Sequence, residues 1–370
     1  MPDMSEPTPH PGVQKITPYV SGESRILGIK TVAKLSSNEN PLGPSPCAIA
    51  AYHAAANDIH CYPDSHATDL RRALGHHYGL DPDKIICGCG SDDILHLIGH
   101  AYASPGNEII YSQHGFLLYS LIAHSVGAIP IVAYETNLCT SVDAILAKIT
   151  SKTRIVYIAN PNNPTGTYLS SYEMARLHRQ LPPSVLLVID AAYAEYVDCD
   201  DYTAGMELVE SGANVVMTRT FSKFYGLASL RLGWAYGPPA VIESLNRIRG
   251  PFNVSGPAQA AGIESLKDTA YAALTRAHNE KWRSWVTAQL RALNLVLTES
   301  VTNFVLTHFP AEAGRDSLAA DAFLRRDGLI VRRMESYHLS QWLRISIGRD
   351  SDMRLLVNSL TRFVNCKDAA

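Results

Sequence analysis

The sequence predicts an α/β protein: a large, doubly wound domain with a mostly parallel central sheet, then a smaller α+β domain. Three observations carry this. Between about residues 48 and 248, short apolar runs alternate with helical patterns. Several runs are β-branched and apolar on both faces, as strands of a covered parallel sheet are. Near Ile248-Arg249-Gly250-Pro251-Phe252-Asn253 the pattern changes to a long helical stretch followed by separate short strands. The expected division is an N-terminal arm over 1–46, a large domain over 47–248 and a small C-terminal domain over 249–370.

The arm is rich in Pro, Gly and Ser and ends in Ser36-Ser37-Asn38-Glu39-Asn40-Pro41-Leu42-Gly43-Pro44-Ser45-Pro46. Such a segment is either flexible or pinned against something. The strands expected next are 85–87, 108–111, 129–133, 155–159, 185–189 and 215–217, with helices between them, for example over 94–102 and 171–180. After the change of pattern, one helix is expected over 259–293, with Lys281, Arg283 and Arg291 on its polar side. Strands are then expected over 304–307, 329–332 and 342–347.

With 370 residues and 46% hydrophobic content, the chain can bury a sizeable core. A net charge of -3 with interspersed signs implies no broad basic face, and so no nucleic-acid partner. Seven cysteines in a chain this long do not make a disulfide framework, and Cys87-Gly88-Cys89 has the wrong spacing for a zinc knuckle or a redox pair. The first residues lack the basic-then-apolar order of a secretory signal, and no apolar run approaches the ~20 residues of a membrane span. The expectation is a cytoplasmic protein without a membrane partner.

Lys223 lies within Thr220-Phe221-Ser222-Lys223-Phe224-Tyr225-Gly226-Leu227-Ala228-Ser229-Leu230-Arg231-Leu232-Gly233. A lysine among small and apolar neighbours can lose its proton and condense with an aldehyde. Arg231 offers a fixed fork for a phosphate, and Ser222 a hydroxyl for the same anion. Aldehyde capture beside phosphate capture is what pyridoxal 5′-phosphate (PLP) requires.

Three further motifs sit at strand ends. Gly88-Cys89-Gly90-Ser91-Asp92-Asp93 lies between a strand and a helix, where glycines allow close approach and helix N–H groups bind anions. Its sixth residue is Asp93, so it is not a dinucleotide fingerprint. Asn160-Pro161-Asn162-Asn163-Pro164-Thr165-Gly166 forces an ordered turn where open α/β sheets bind ligands, and Asn163 can donate to a phenolate oxygen. Asp190-Ala191-Ala192-Tyr193 closes an apolar strand. A carboxylate there needs a partner, and a protonated pyridine nitrogen is a suitable one. Tyr193 can then bond the O3′ oxygen of the same ring. In the small domain, Arg344 alternates with apolar residues in Trp342-Leu343-Arg344-Ile345-Ser346-Ile347-Gly348, and Arg332 precedes it by twelve positions. Both suit a substrate carboxylate or phosphate. His96 and His100 are four apart, but no H-E-x-x-H pattern surrounds them and no third ligand is evident, so no metal is expected.

With these motifs assembled, nearly the whole chain resembles the fold-type I PLP aminotransferases. Within them it resembles the histidinol-phosphate aminotransferase family, especially its alphaproteobacterial members. The resemblance implies that Lys223 is the Schiff-base lysine, Asp190 the partner of the pyridine nitrogen, and Tyr193 and Asn163 the partners of O3′. It places Ser91, Asp92, Thr220, Ser222 and Arg231 around the cofactor phosphate, and Phe116, in His114-Gly115-Phe116-Leu117-Leu118-Tyr119, against the ring face. It implies a homodimer with shared active sites, in which Tyr62 reaches the neighbouring subunit's cofactor phosphate. Tyr19, Arg332 and Arg344 match substrate-binding positions. The implied reaction exchanges an amino group between L-histidinol phosphate and 2-oxoglutarate, giving imidazole acetol phosphate and L-glutamate. Departures are Asp93 where the loop usually has Glu, Leu42 where many relatives have an aromatic, and Phe116 without the hydroxyl of relatives with Tyr. An aromatic-amino-acid aminotransferase and a phosphothreonine decarboxylase on the same scaffold are the alternative activities.

Overall fold

The computed structural model describes residues 7–18 and 20–365. Its centre is a seven-stranded sheet in the order Ile85–Gly88, Gly233–Tyr236, Val215–Thr220, Leu186–Asp190, Thr153–Ala159, Glu108–Ser112 and Ile129–Ala133. All neighbours run parallel except Gly233–Tyr236, which is antiparallel to both of its own. The expected mostly parallel sheet is therefore present. The antiparallel strand escaped sequence reading because Gly-Trp-Ala-Tyr is too short to show a run.

Alternation along the strands builds two apolar layers, because successive side chains point to opposite faces. Ile155, Tyr157, Leu186, Val188 and Val216 belong to one layer. Val156, Ile158, Leu187, Ile189, Val215 and Met217 belong to the other. Each fully buried aliphatic side chain contributes about 1.5–3 kcal/mol of transfer free energy. Asp190 continues the alternation of Leu186 and Val188, so its carboxyl is directed into a buried layer at the sheet's carboxyl edge. The strand expected over 215–217 continues to Thr220, and Thr218, Arg219 and Thr220 are polar yet buried.

A four-stranded antiparallel sheet forms separately, in the order Arg332–Arg333, Trp342–Ser346, Phe304–His308 and Val296–Leu297. The strand expected over 329–332 divides. Leu329–Ile330 pairs in parallel with Ala33–Lys34 of the arm, whereas Arg332–Arg333 joins the four-stranded sheet. Val331 between them is buried in the second core with Leu35, Val305 and Ile345. From Ala33 onward, then, the arm is pinned.

The helix expected over 259–293 is two helices, Gly256–Lys267 and Thr269–Ala292. Asp268 interrupts them. It ends the first helix with φ -81° and ψ 70°, and its carboxylate accepts from Tyr271 N at 3.0 Å to cap the second. The break lets Ala258, Ala261 and Leu266 pack on the large core while Trp282, Val286 and Leu290 enter the small one. Asp268→Ala should cost about 1 kcal/mol in urea unfolding through loss of this cap. An unchanged midpoint would show that the cap contributes nothing.

Candidate active site

The carboxyl ends of the central strands open into a cavity of about 460 Å³. Ser91, Asp92, Phe116, Asn163, Asp190, Tyr193, Thr220, Ser222, Lys223, Arg231, Arg332 and Arg344 all line it. This is where an open α/β sheet binds ligands, since loops leave successive strands there. Two expected residues are not among its lining. Tyr62 is 82% exposed and stacks on Phe252 at 4.4 Å. Tyr19 lies outside the described residues.

At one end of the cavity the helix Ser91–Tyr102 begins behind Gly90, which has φ +86°. A Cβ at Gly90 would meet Arg231 Nη2 at 2.5 Å, and one at Gly233 would meet Ser91 N at 2.2 Å. Glycine at both positions lets guanidinium, loop and strand close up. The first-turn N–H groups of the helix lack intrahelical acceptors and concentrate positive potential. Arg231, itself left-handed at φ 51°, donates from Nη1 to Ser222 Oγ at 3.2 Å and to Ala228 O at 3.0 Å. Its Nη2 lies 3.3 Å from Asp92 Oδ2. The Asp92 carboxylate is thus a counter-ion to Arg231, and only its backbone N–H suits an anion. Asp93 accepts from Cys89 N at 2.9 Å and braces the loop. His96 Nδ1 lies 2.9 Å from Asp92 O, within its own helix.

Asp190 is 5% exposed. Tyr119 OH donates to its Oδ2 at 2.9 Å, and Thr218 Oγ1 lies 3.4 Å from Oδ1. Burial pushes the carboxyl up to about 6, against the bond from Tyr119. Lys223, partly accessible from the cavity, moves the other way. Enclosure lowers its ammonium to about 8, helped by the positive charge of Arg344 and opposed by Asp92 and Glu39. Its Nζ donates to Ser37 O at 3.3 Å.

Between these groups, Arg344 is 7% exposed and donates to Asn163 Oδ1 at 2.5 Å and Ser36 O at 2.9 Å. An arginine only donates, so the Asn163 oxygen faces it and the amide keeps Nδ2 as a donor. Tyr193 OH accepts from Asn38 Nδ2 at 2.8 Å. Arg332 donates from Nη2 to Val20 O at 2.6 Å, under the arm. Phe116 meets Tyr119 edge-on, with ring centroids 6.0 Å apart.

The donor set fits PLP. A helix start, two hydroxyls and a guanidinium gather at one end, a buried carboxyl sits at a strand terminus, and a lysine with a depressed proton affinity faces the same space. Sequence reasoning missed Tyr119, Asn38 and the carbonyls of Ser36 and Ser37. Asn38 stands in the quoted arm string but carries no local sign of its partner. Tyr119 lies 71 positions from Asp190, and only the fold brings them together.

The pH dependence of stability follows from Asp190. Its folded pKa lies above the usual carboxylate value, so between that value and about 6 the folded chain holds a proton that the unfolded chain releases. Stability contributed by the neutral acid is full at low pH and is lost as pH rises through this window. Asp190→Asn cannot ionise, so the cofactor-free variant should be about 1–3 kcal/mol more stable than wild type at about pH 8, with the advantage fading at about pH 4. Thermal melts at both pH values check this, and equal melting temperatures at the higher one would count against a strained Asp190.

A family profile described as aminotransferase class I and II matches residues 30–360. Histidinol-phosphate aminotransferase of Paramagnetospirillum magneticum is 52% identical over 98% of this chain and 99% of its own. That of Rhodopseudomonas palustris is 51% identical over 98% of this chain and 99% of its own. The crystal structure of histidinol-phosphate aminotransferase from Sinorhizobium meliloti in complex with pyridoxal-5'-phosphate superposes with a TM-score of 0.90, at 28% identity and 98% coverage of both chains. Aspartate aminotransferase from Thermus thermophilus shares the fold at a TM-score of 0.80 and 19% identity, over 90% of this chain and 91% of its own. The chain therefore belongs to the class I and II aminotransferases and, within them, to the histidinol-phosphate aminotransferase family.

Proposed function

We propose that this protein transfers the amino group of L-histidinol phosphate to 2-oxoglutarate, giving imidazole acetol phosphate and L-glutamate, in histidine biosynthesis. The observation that carries the reading is the convergence of Lys223, Asp190 and Arg231 on one cavity in a chain half identical, end to end, to enzymes of that name. PLP bound there supplies an aldehyde carbon for the substrate's amino group and a protonated ring that draws electrons from the bond to be broken. Every other part of the task falls to the protein.

Arg231, Ser222, Thr220 and the Ser91 end of its helix hold the cofactor phosphate, with the backbone N–H of Asp92 beside them. Asp190 keeps the ring nitrogen protonated and so stabilises negative charge as it develops. Tyr193 and Asn163 donate to the ring's anionic oxygen, and Phe116 covers the ring face. Lys223 Nζ, neutral in part near pH 8, would take the proton from the amine-bearing carbon of the substrate and deliver it to the cofactor carbon that carried the aldehyde, and would move a proton the opposite way in the second half-reaction. Arg344 and Arg332, with Tyr19 from the arm, receive the substrate's anion. That anion is a phosphate in one half-reaction and a carboxylate in the other, so the cycle is ping-pong.

The protein works as a cytoplasmic homodimer with shared active sites. Tyr62 supports this reading. It is large, exposed and stacked on Phe252, away from its own chain's cavity, as a residue completing a neighbour's phosphate site would be. Among the described residues no helix is long and apolar enough to cross a membrane. Two apolar cores support an arm over 1–46, a cofactor-holding unit over 47–248 and a small unit over 249–370, with the Gly256–Lys267 helix packed back on the larger core.

Lys223→Ala should lose about 10³-fold or more in turnover. Borohydride treatment of the wild type with PLP should label Lys223 on peptide mapping, and a label on another side chain refutes its role. Assayed with 2-oxoglutarate, histidinol phosphate should exceed phenylalanine as donor; the reverse order identifies an aromatic aminotransferase, and carbon dioxide release without a keto acid identifies a decarboxylase. Tyr62→Ala should weaken PLP retention about tenfold while sedimentation still reports a dimer. Full retention in that variant removes Tyr62 from the shared site.

A further inference from the structure

Tyr119 touches the carboxyl on which the proposed chemistry depends, and no motif in the sequence assigns it a role. It is fully buried on the helix Leu118–Ser125. Its ring stacks on Tyr157 with centroids 4.9 Å apart and planes 2° from parallel. The Tyr157 hydroxyl in turn donates to Leu95 O at 2.9 Å. The stack and the edge of Phe116 hold the ring so that its hydroxyl meets Asp190 Oδ2. The carboxyl's other partners are Thr218 Oγ1, which at 3.4 Å is too distant to orient it firmly, and the backbone N–H of Ala192, which acts more weakly than Tyr119.

We propose that Tyr119 is a positioning residue of the transamination site: its hydrogen bond to Asp190 Oδ2 orients that carboxyl and holds it in the charged form that keeps the cofactor's pyridine nitrogen protonated. This rests on the reading under Proposed function. The chemistry is one-sided. Burial and the adjacent Asp190 keep the phenol protonated, so it always donates and the carboxyl oxygen always accepts. A donated bond favours the carboxylate over the acid and opposes the desolvation that favours the acid. The other ionisable groups facing the pair are Asp92, whose charge disfavours that of Asp190, Tyr157, which faces both the phenol and Asp190, Tyr202, which faces Asp190, and Tyr337, which faces the phenol. Lys223 and Arg344 line the same cavity. Were the role only packing, the ring would suffice and the hydroxyl would be dispensable.

The test is Tyr119→Phe in the PLP-loaded protein, with Tyr157→Phe as a control that removes a hydroxyl from the same stack without touching Asp190. The readout is the pH midpoint of the visible absorbance change of Lys223-linked PLP. A less charged Asp190 leaves the ring nitrogen less protonated, and the lost positive charge makes the Lys223 nitrogen hold its proton to higher pH. The midpoint should rise by about 0.5–1 unit in Tyr119→Phe, with kcat about tenfold lower and KM within about twofold, and Tyr157→Phe should match wild type. A midpoint and kcat unchanged in Tyr119→Phe overturn the proposal, even if the melting temperature falls. If that variant does not fold, a fluorinated tyrosine at position 119 keeps the shape and strengthens the donor. The midpoint should then fall, and its staying in place overturns the proposal. Wild type run alongside separates the two levels: a wild type with no visible PLP band removes the transamination reading itself, whereas a normal wild type beside an unshifted Phe variant removes only the role of Tyr119.

Discussion

Two ionisable groups, Asp190 and Lys223, are enclosed where neighbouring strands end, and the surrounding structure is organised around that burden. Burial pushes the acid up to about 6 and the amine down to about 8. Each is thereby drawn toward its neutral form. Neither neutralises the other by direct contact. The acid leans on a phenol and a threonine hydroxyl, and the amine on a backbone carbonyl of the arm. In the proposed function, a PLP ring would meet the first with positive charge and the second with an aldehyde.

That arrangement needs three distant parts of the chain in register. Asn38 of the arm donates to Tyr193 OH, its backbone N–H takes Ser346 Oγ, and its carbonyl accepts from Asn303. One asparagine thus ties the turn after Asp190 to the sheet that carries Arg344. Asn40 continues the seam by donating to Phe224 O, next to Lys223. Arg344 spans the same junction through Asn163 and Ser36. The Arg344 guanidinium and the Asn163 amide are therefore coupled, so an anion that engages Arg344 also bears on Asn163. A second buried network, Glu135 with His114 and Ser112, fixes the start of the loop that carries Phe116.

Much of this was legible in sequence because the informative residues are local. A lysine, a serine and an arginine within one loop, a glycine pair before a helix and an acid closing an apolar strand each state their chemistry within a dozen positions. The parallel strands were legible for the same reason: continuous β-branched runs need no partner to be recognised. Reading failed where tertiary context outweighed local pattern. Gly233–Tyr236 is a strand because the sheet has a place for it between two neighbours. The helix over 259–293 breaks at Asp268 because its two halves serve different cores. Tyr119 and Asn38 were invisible as site residues because a single hydrogen bond across the fold leaves no periodicity behind.

By itself, then, the sequence determined the class of fold and the cofactor, and it singled out Lys223 as the amine to propose for the chemistry, since these depend on residue type and short spacing. The tertiary structure alone decided which of those residues share a cavity, that the Asp92 carboxylate faces Arg231, that Tyr62 is exposed outside the cavity lining, and which neutral side chains hold Asp190 and Tyr193. Proton affinity and orientation are set by burial and by contacts between segments far apart in the chain, and no stretch of sequence carries those by itself.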